Sequence, residues 1–412
     1  MRVGLFTESY DPVINGVSTS VKTLAAELAR AGHEAVIVAP RFPGYADEPT
    51  ESSQIEVRRL PSWRTPLNPR NPFAFPPVGL PPSAYRDRRY NIVHTQQPFG
   101  IGLHGRIAAR RSSCPLVSTF HTLYHEYTHY APMFPKPLAR RWLRGQLTRY
   151  YACCDAVVVP SKAAGRVLEQ VMGVPGDRLH VIPTGIPEPP SVMPAAVEQT
   201  RKAFSLPKRA PVLLFVGRVA PEKNLDLLVE AFGRLSDGHP ASSPETHPIL
   251  LIAGDGPYLN GLKERVRRAE LDAYVRFAGF LKRNQLAPVY AAATLFVFPS
   301  VTETQGVVLS EAQSHGLPCV LCDGGGAPEF VRQDVDALVV PSGDAAAFAA
   351  AVRSLLTDDA QRRAFSAAAL KSPLRPTPPA MARRMIALYE SLVSGTAASP
   401  ALRPDARADD LG

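Results

Sequence analysis

Cysteine is scarce in this chain, with five in 412 residues, an odd number at no framework spacing. That excludes a disulfide-stapled fold and points to a reducing compartment. Long hydrophobic runs are missing too. No apolar stretch approaches the ~18 residues a membrane span needs. The opening MRVGLFTESY lacks the basic start and long apolar stretch of a signal peptide, so it reads as a first strand and the protein is expected in the cytoplasm. The dinucleotide fingerprint G-x-G-x-x-G is absent after that strand, which argues against a dehydrogenase. Neither an aromatic-interleaved basic ribbon nor a helix-turn-helix pattern occurs, so nucleic acid is not an expected partner.

What is present is a length that suits two domains of roughly 150 to 200 residues and an uneven charge. Residues 1–190 carry 22 Lys and Arg against 14 Asp and Glu, whereas residues 191–412 carry 24 against 23, so most of the net +9 lies in the first half. Such a lobe suits phosphorylated substrates or an anionic membrane surface. Its densest part is KPLARRWLRGQLTRYY, 136–151, where Arg140, Arg141 and Arg144 share one side of a helix and Trp142 with its leucine neighbours supplies apolar surface. This is the pattern of an interfacial helix, and equally of an ordinary amphipathic helix with a solvated basic face.

Short apolar runs alternate with helical patterns, and the alternation occurs twice. RVGLF, EAVIVAP, NIVHTQ, PLVSTFH, AVVVPS and LHVIPT fall in the first half; PVLLFVGR, PILLIAGDGP, YVRFAGF, LFVFPS, PCVLC and ALVVP fall in the second. Continuous apolar strands separated by helices predict parallel sheets buried on both faces. The expected fold is therefore α/β, with two Rossmann-like doubly wound domains facing across a cleft. The proline-rich IPEPPSVMPAA, 186–196, marks the seam, giving a first domain over 1–190 and a second over 191–375. A final helix over 376–395 is expected to pack back toward the first domain, and 396–412 lacks apolar periodicity and reads as a disordered tail. Residues 41–90, rich in Pro and Arg, read as an extended excursion at the rim of the first domain.

Ligands of such sheets bind beyond the carboxyl ends of the strands. After the first strand, Asn15-Gly16 opens a helix expected to start near Val17, a phosphate-tolerant arrangement because helix-start amides favour anions. In LLFVGRVAPEKNLDLL, Arg218 ends a strand and Lys223 follows five residues on, two cations that suit a diphosphate, with Asn224 a plausible cap for the next helix. After LFVFPS come Glu303 in a loop, a turn of Thr304, Gln305 and Gly306, and a helix start at Gly306 with Glu311 a turn and a half inside. One carboxylate can accept from sugar hydroxyls and the other can reach a ribose diol, so the stretch reads as a nucleotide-sugar cradle. AGDGP, with Gly256, and GGGAPEF add small-residue loops at two more strand ends.

Three rival patterns were weighed. HEYTH, His125 to His129, satisfies H-E-x-x-H, the zinc-metallohydrolase motif, but Pro132 and Pro135 shorten the helix and no third ligand follows at a usual interval. Asp334-Val-Asp336 superficially matches a metal-binding D-x-D, yet lies in a turn entering a strand. Cys319-Val-Leu-Cys322 matches C-x-x-C inside an apolar strand run. No metal is expected, because Arg218 and Lys223 can neutralise a leaving diphosphate. A sugar-nucleotide-binding protein without turnover would lack an acid or a cation of the cradle, and here all are present.

The set FTESYDPVINGVSTSV, GRVAPEKN, AGDGP, VFPSVTETQGVVLSEAQSHGLPCV and GGGAPEFV resembles the retaining glycosyltransferases of family 4, which have the GT-B fold, over residues 2 to about 390. The resemblance implies that Glu303 lies at the donor sugar, that Glu311 holds the nucleotide ribose, that Arg218 and Lys223 bind the donor diphosphate and that Gly16 lies near the phosphates. His121, in STFHT, matches a histidine at the reacting sugar. Gly256, Thr304, Gln305, Gly306 and Val307 complete the expected donor side. The family more often has Phe or Leu and Met where this chain has Gln305, Ser310 and Gln313. FHTLYHEYTHYAP and ETQG resemble the branch of diacylglycerol glucosyltransferases and lipid mannosyltransferases. That implies a nucleotide-diphosphate sugar donor, UDP-glucose first and GDP-mannose next, and a lipid or glycan acceptor reached near Tyr124. It also implies peripheral contact of the basic helix with an anionic membrane.

Overall fold

The computed structural model describes residues 1–50, 52–65, 68–74, 89–123, 136–236 and 246–395. Tyr124, the HEYTH segment and the expected tail lie outside them, as does the side chain of Arg140.

All twelve apolar runs picked out in the sequence are strands. In the N-terminal half, β1 (Arg2–Phe6), β2 (Glu34–Pro40), β3 (Ile55–Leu60), β6 (Ile92–Thr95), β7 (Leu116–Thr119), β8 (Ala156–Val159) and β9 (Leu179–Val181) form one sheet in the order β3-β2-β1-β6-β7-β8-β9. Every neighbouring pair in it is parallel. The segment read as an extended excursion contains the edge strand β3 and a separate antiparallel hairpin, β4 (Ser62–Thr65) with β5 (Asn68–Ala74). Half-exposed and carrying Glu56, Arg58 and Arg59, β3 has the mixed character of an edge strand and none of the apolar continuity of its neighbours.

In the C-terminal half, β10 (Val212–Val216), β11 (Ile249–Ala253), β12 (Val275–Gly279), β13 (Leu295–Phe298), β14 (Cys319–Cys322) and β15 (Ala337–Val340) pair in the order β12-β11-β10-β13-β14-β15, again all parallel. The strand order reverses between β1 and β6 in the first sheet and between β10 and β13 in the second. A crevice opens at the strand ends of each such reversal, and these are the places where ligands enter doubly wound sheets.

Helices cover both faces: α1 (Gly16–Arg30), α2 (Ile101–Ser112), α3 (Lys136–Ala152) and α4 (Lys162–Met172) in the first half, and α5 (Pro194–Ala203) through α11 (Asp359–Leu370) in the second. The apolar core of the second sheet is continuous, centred on Phe215, Phe296 and Phe298. The first sheet has a separate core on each face. One gathers Phe6, Val93, Phe120 and Tyr151; the other gathers Val3, Leu5, Leu24 and Leu28 with Met381, Met385, Leu388 and Tyr389. Those last four come from the final helix, α12 (Pro378–Val393), which packs along α1 and closes that face of the first sheet.

Candidate active site

The loops after β10 and β13 are stitched together by three side chains. Asn224, in left-handed backbone conformation, donates from Nδ2 to the Pro299 carbonyl at 3.3 Å. Thr302 Oγ1 donates to the Glu222 carbonyl at 3.2 Å. Lys223 Nζ lies 2.5 Å from Glu303 Oε1, both side chains being mostly but not wholly covered. The sequence-predicted cation and the sequence-predicted acid thus meet directly at the reversal point. Arg218 leaves the end of β10 half exposed, its guanidinium 4.0 Å from Glu222.

Gly306 caps the start of α9 (Val307–Ser314) at φ 80°, a left-handed turn that a side chain would strain, and a Cβ there would meet Ala327 at 3.2 Å. Gly16, the first residue of α1, faces Val307 from the other domain; a Cβ on Gly16 would sit 4.0 Å from its side chain. The N-termini of α1 and α9 therefore look at one another across the cleft. Neither helix carries an acidic residue in its first turn, so two positive dipole ends face one gap. The α1 start is held by a capping box between Asn15 and Ser18.

Glu311, on α9, accepts from the Tyr290 hydroxyl at 3.2 Å. Burial raises its pKa, while the Arg283 charge and the Tyr290 hydrogen bond pull it back. Tyr290 in turn stacks on His315, ring centroids 4.8 Å apart. On the N-terminal side, His121 follows β7, and its Nε2 lies 2.8 Å from Gln96 Oε1. Burial pushes its pKa down to about 4, so the imidazole is neutral at working pH. Thr304 Oγ1 donates to the His121 carbonyl at 2.9 Å, which joins the donor loop to the histidine strand end.

One expectation changes. Gln305, read as a donor-binding side chain, is buried with both ends of its amide on Thr184: Oε1 accepts from the Thr184 N–H at 2.8 Å and Nε2 donates to its carbonyl at 3.0 Å. Gln305 joins the two domains. At Gly256, in the AGDGP loop, a Cβ would meet the Val219 carbonyl at 2.2 Å. Its smallness lets the AGDGP loop close onto the loop after β10. In the same way GGGAPEF packs on the loop that carries Glu303: Gly326 N–H donates to the Glu303 carbonyl at 2.7 Å.

Several residues of the site escaped the sequence reading. Glu329 accepts from the Lys162 and Ala163 amides at 2.8 and 2.7 Å, capping α4 from the opposite domain. Arg283 donates to Thr19 Oγ1 at 3.3 Å, also across the cleft. Gln96 and Tyr290 are the partners of the two side chains the sequence did single out; only Gln96, next after a strand, had a position that could have marked it. Two of the rival metal patterns lie among the described residues. Asp336 is fully buried against Arg332, 2.7 Å from its Nε, and Cys319 and Cys322 lie inside β14.

Two parallel sheets whose reversal points face one gap, lined by paired helix starts, a lysine and two carboxylates, define a GT-B glycosyltransferase. The sequence pattern described as Glycosyltransferase Family 4 matches residues 14–188, and that described as Glycosyl transferases group 1 matches residues 196–372. An alpha-monoglucosyldiacylglycerol synthase of Streptococcus pneumoniae is 31% identical over 344 residues, 78% of this chain and 70% of that protein. A GDP-mannose-dependent alpha-mannosyltransferase of Mycolicibacterium smegmatis is 29% identical over 395 residues, 95% of this chain and 98% of that one. Among solved structures, a sucrose-phosphate synthase from Thermosynechococcus elongatus superposes with a TM-score of 0.75 at 22% identity, covering 96% of this chain and 99% of its own. The Anabaena protein Alr3699/HepE in complex with UDP-glucose gives 0.72 at 18% identity, covering 95% of this chain and all of its own. The chain belongs to glycosyltransferase family 4.

Proposed function

We propose that this enzyme moves glucose, with retention of anomeric configuration, from UDP-glucose to the hydroxyl of a membrane lipid such as diacylglycerol. The observation that carries the reading is the Lys223–Glu303 pair, the Glu303 loop running three residues on into the start of α9, which faces the start of α1. In the transfer, the bond from the anomeric carbon to the diphosphate oxygen breaks, one to the acceptor oxygen forms, and the acceptor's hydroxyl proton passes to the departing diphosphate. Negative charge grows on the departing diphosphate, where Lys223, Arg218 and the helix-start amides stabilise it more than in the ground state. Glu303 orients the hexose, Glu311 holds the ribose and His121 meets the sugar from the other domain. Those cations and amides do the neutralising that a divalent ion would otherwise do, so transfer proceeds without metal. The sequence likeness to an alpha-monoglucosyldiacylglycerol synthase supports the lipid acceptor and the glucose donor, while the likeness to a GDP-mannose-dependent enzyme makes GDP-mannose the second choice.

The acceptor lobe supports the membrane part of the reading. Its helix α3 buries Leu147, Tyr150 and Tyr151 and turns outward Leu138 and Trp142, 62% and 64% exposed and one helical turn apart, beside exposed Arg141 and Arg144. Apolar side chains flanked by guanidinium groups suit an anionic bilayer surface. Among the described residues no helix is long and apolar enough to cross a membrane. The test is to offer the purified protein UDP-glucose, UDP-galactose and GDP-mannose with lipid extract, with and without a chelator. UDP released from UDP-glucose, glycolipid formed, and no loss on chelation is the expected result. Release from GDP-mannose alone reassigns the donor, and chelator-sensitive hydrolysis would instead revive the HEYTH alternative.

A further inference from the structure

Gln96 follows β6 at the reversal point of the first sheet, and its main chain is fixed there by donation of its N–H to the Phe6 carbonyl at 2.8 Å. Its side chain is 2% exposed. One end of the amide, Oε1, sits 2.8 Å from His121 Nε2. The other end, Nε2, is buried and has no protein partner. Gln96 also lines a small cavity of about 10 Å³, whose polar wall is Ser20 of α1, His94 and Thr119 of the first sheet, and Thr184 after β9, the rest being apolar side chains such as Leu24 and Met381. That volume is about one water's worth of space, and its wall offers hydroxyls for a water to bridge. His94 takes no part in holding Gln96, since its two ring nitrogens already meet the hydroxyls of Tyr389 and Thr119 at 2.6 and 2.7 Å.

We propose that Gln96 is a positioning residue for His121: its carbonyl oxygen holds the imidazole in the Nε2–H tautomer, leaving Nδ1 as a hydrogen-bond acceptor for the sugar, while a single water in the cavity holds the other end of the amide. A glutamine carbonyl oxygen can only accept, so the ring nitrogen facing it must carry the proton. The imidazole is neutral because it is buried, so its second nitrogen is then bare. The Thr304 hydrogen bond to the His121 carbonyl fixes the main chain, and Gln96 fixes the ring. Pointing and tautomer are thereby set before a substrate arrives, as second-layer partners do for catalytic imidazoles elsewhere. The inference rests on the reading of His121 as the group at the reacting sugar.

Its test separates the two. Nitrogen-15 histidine spectra of the whole protein, with the His121 signal identified by its loss in His121→Asn, report the tautomer and the titration without any turnover. The wild type should show Nε2 protonated and Nδ1 bare. Gln96→Glu should raise the His121 pKa by at least about one unit, since a carboxylate beside the ring favours the imidazolium. Gln96→Leu should remove the tautomer preference. In transfer assays with the donor that the wild type uses, Gln96→Leu should slow turnover on the order of tenfold to a hundredfold with little change in donor KM, and Gln96→Glu should move the acid limb of the pH profile upward. A wild-type Nδ1–H tautomer, or a Glu variant with unmoved titration, overturns the proposal; if Gln96→Leu fails to fold, Gln96→Glu still decides it. Spectra that behave as expected while no donor is turned over would contradict the functional reading and leave the positioning role standing.

Discussion

Tyr290 and Glu311 show what a single contact does at this site. Burial works against the charged carboxylate, and the Tyr290 hydroxyl and the Arg283 charge work for it. A carboxylate that accepts from a ribose diol must be ionised, so donor affinity should weaken as the pH falls through the raised pKa of Glu311. Removing the hydroxyl removes a hydrogen bond that lowers that pKa. Tyr290→Phe should therefore lose donor affinity at a higher pH than the wild type, read as donor KM against pH, with a rise of several-fold on the scale of one hydrogen bond to a charged group. His121 behaves oppositely. With its pKa pushed down to about 4 it stays neutral across the assay range, and its titration should not contribute to the pH profile above about 5. The charged members of the site were legible because charge after a strand end is conspicuous. Tyr290 and Thr184 were not, since nothing in the chain marks an uncharged residue whose partner lies more than twenty residues away; Gln96 stands directly after a strand but has no charge to make it conspicuous.

Elements were more legible than their connections. Continuous apolar runs marked every central strand, and Asn15 with Gly16 marked the start of α1 to within one residue. Edge strand β3 and the β4–β5 hairpin were missed because a half-exposed strand carries no such run. What ties these elements down is polar. Glu8, just past β1, accepts from the Ile101 N–H at the start of α2 at 2.8 Å and from the Ala74 N–H at the end of β5 at 3.4 Å. Burial raises its pKa from 4.5 to about 7. Between those values the folded protein keeps a proton that the unfolded chain has lost, so this group's contribution to stability falls as pH rises through the window. Glu8→Gln should flatten that part of the stability curve, measured by chemical denaturation from pH 4.5 to 8. The Tyr389 hydroxyl on α12 is a second tie, 2.6 Å from His94 Nδ1 in the core of the first sheet. Tyr389→Phe leaves that buried nitrogen unpaired and should cost about 1–3 kcal/mol, seen as a lower denaturation midpoint at unchanged slope.

The whole molecule is two sheets joined at the site itself. Gln305 to Thr184, Thr304 to His121, Glu329 to the start of α4 and Arg283 to Thr19 all cross between domains, and all lie beside the gap where the donor is proposed to bind. Gln305→Leu should destabilise by about 2 kcal/mol, because it strands the buried Thr184 N–H and carbonyl, and should loosen the domains enough to raise donor KM. The two-domain plan was legible from the doubled alternation. The way the domains meet was not, because it depends on side-chain amides and backbone groups that carry no compositional signature. In the proposed site Lys223 and the paired helix starts grip the diphosphate while Glu303 serves the hexose. The deciding experiment titrates UDP by calorimetry into the wild type, Lys223→Ala and Glu303→Ala, alongside transfer rates for all three. Lys223→Ala should weaken UDP binding at least tenfold, the scale of one charge-assisted hydrogen bond, and Glu303→Ala should bind UDP at least as well as the wild type while transfer is nearly abolished. Wild-type UDP affinity in the lysine variant, or wild-type transfer in the glutamate variant, would contradict the account.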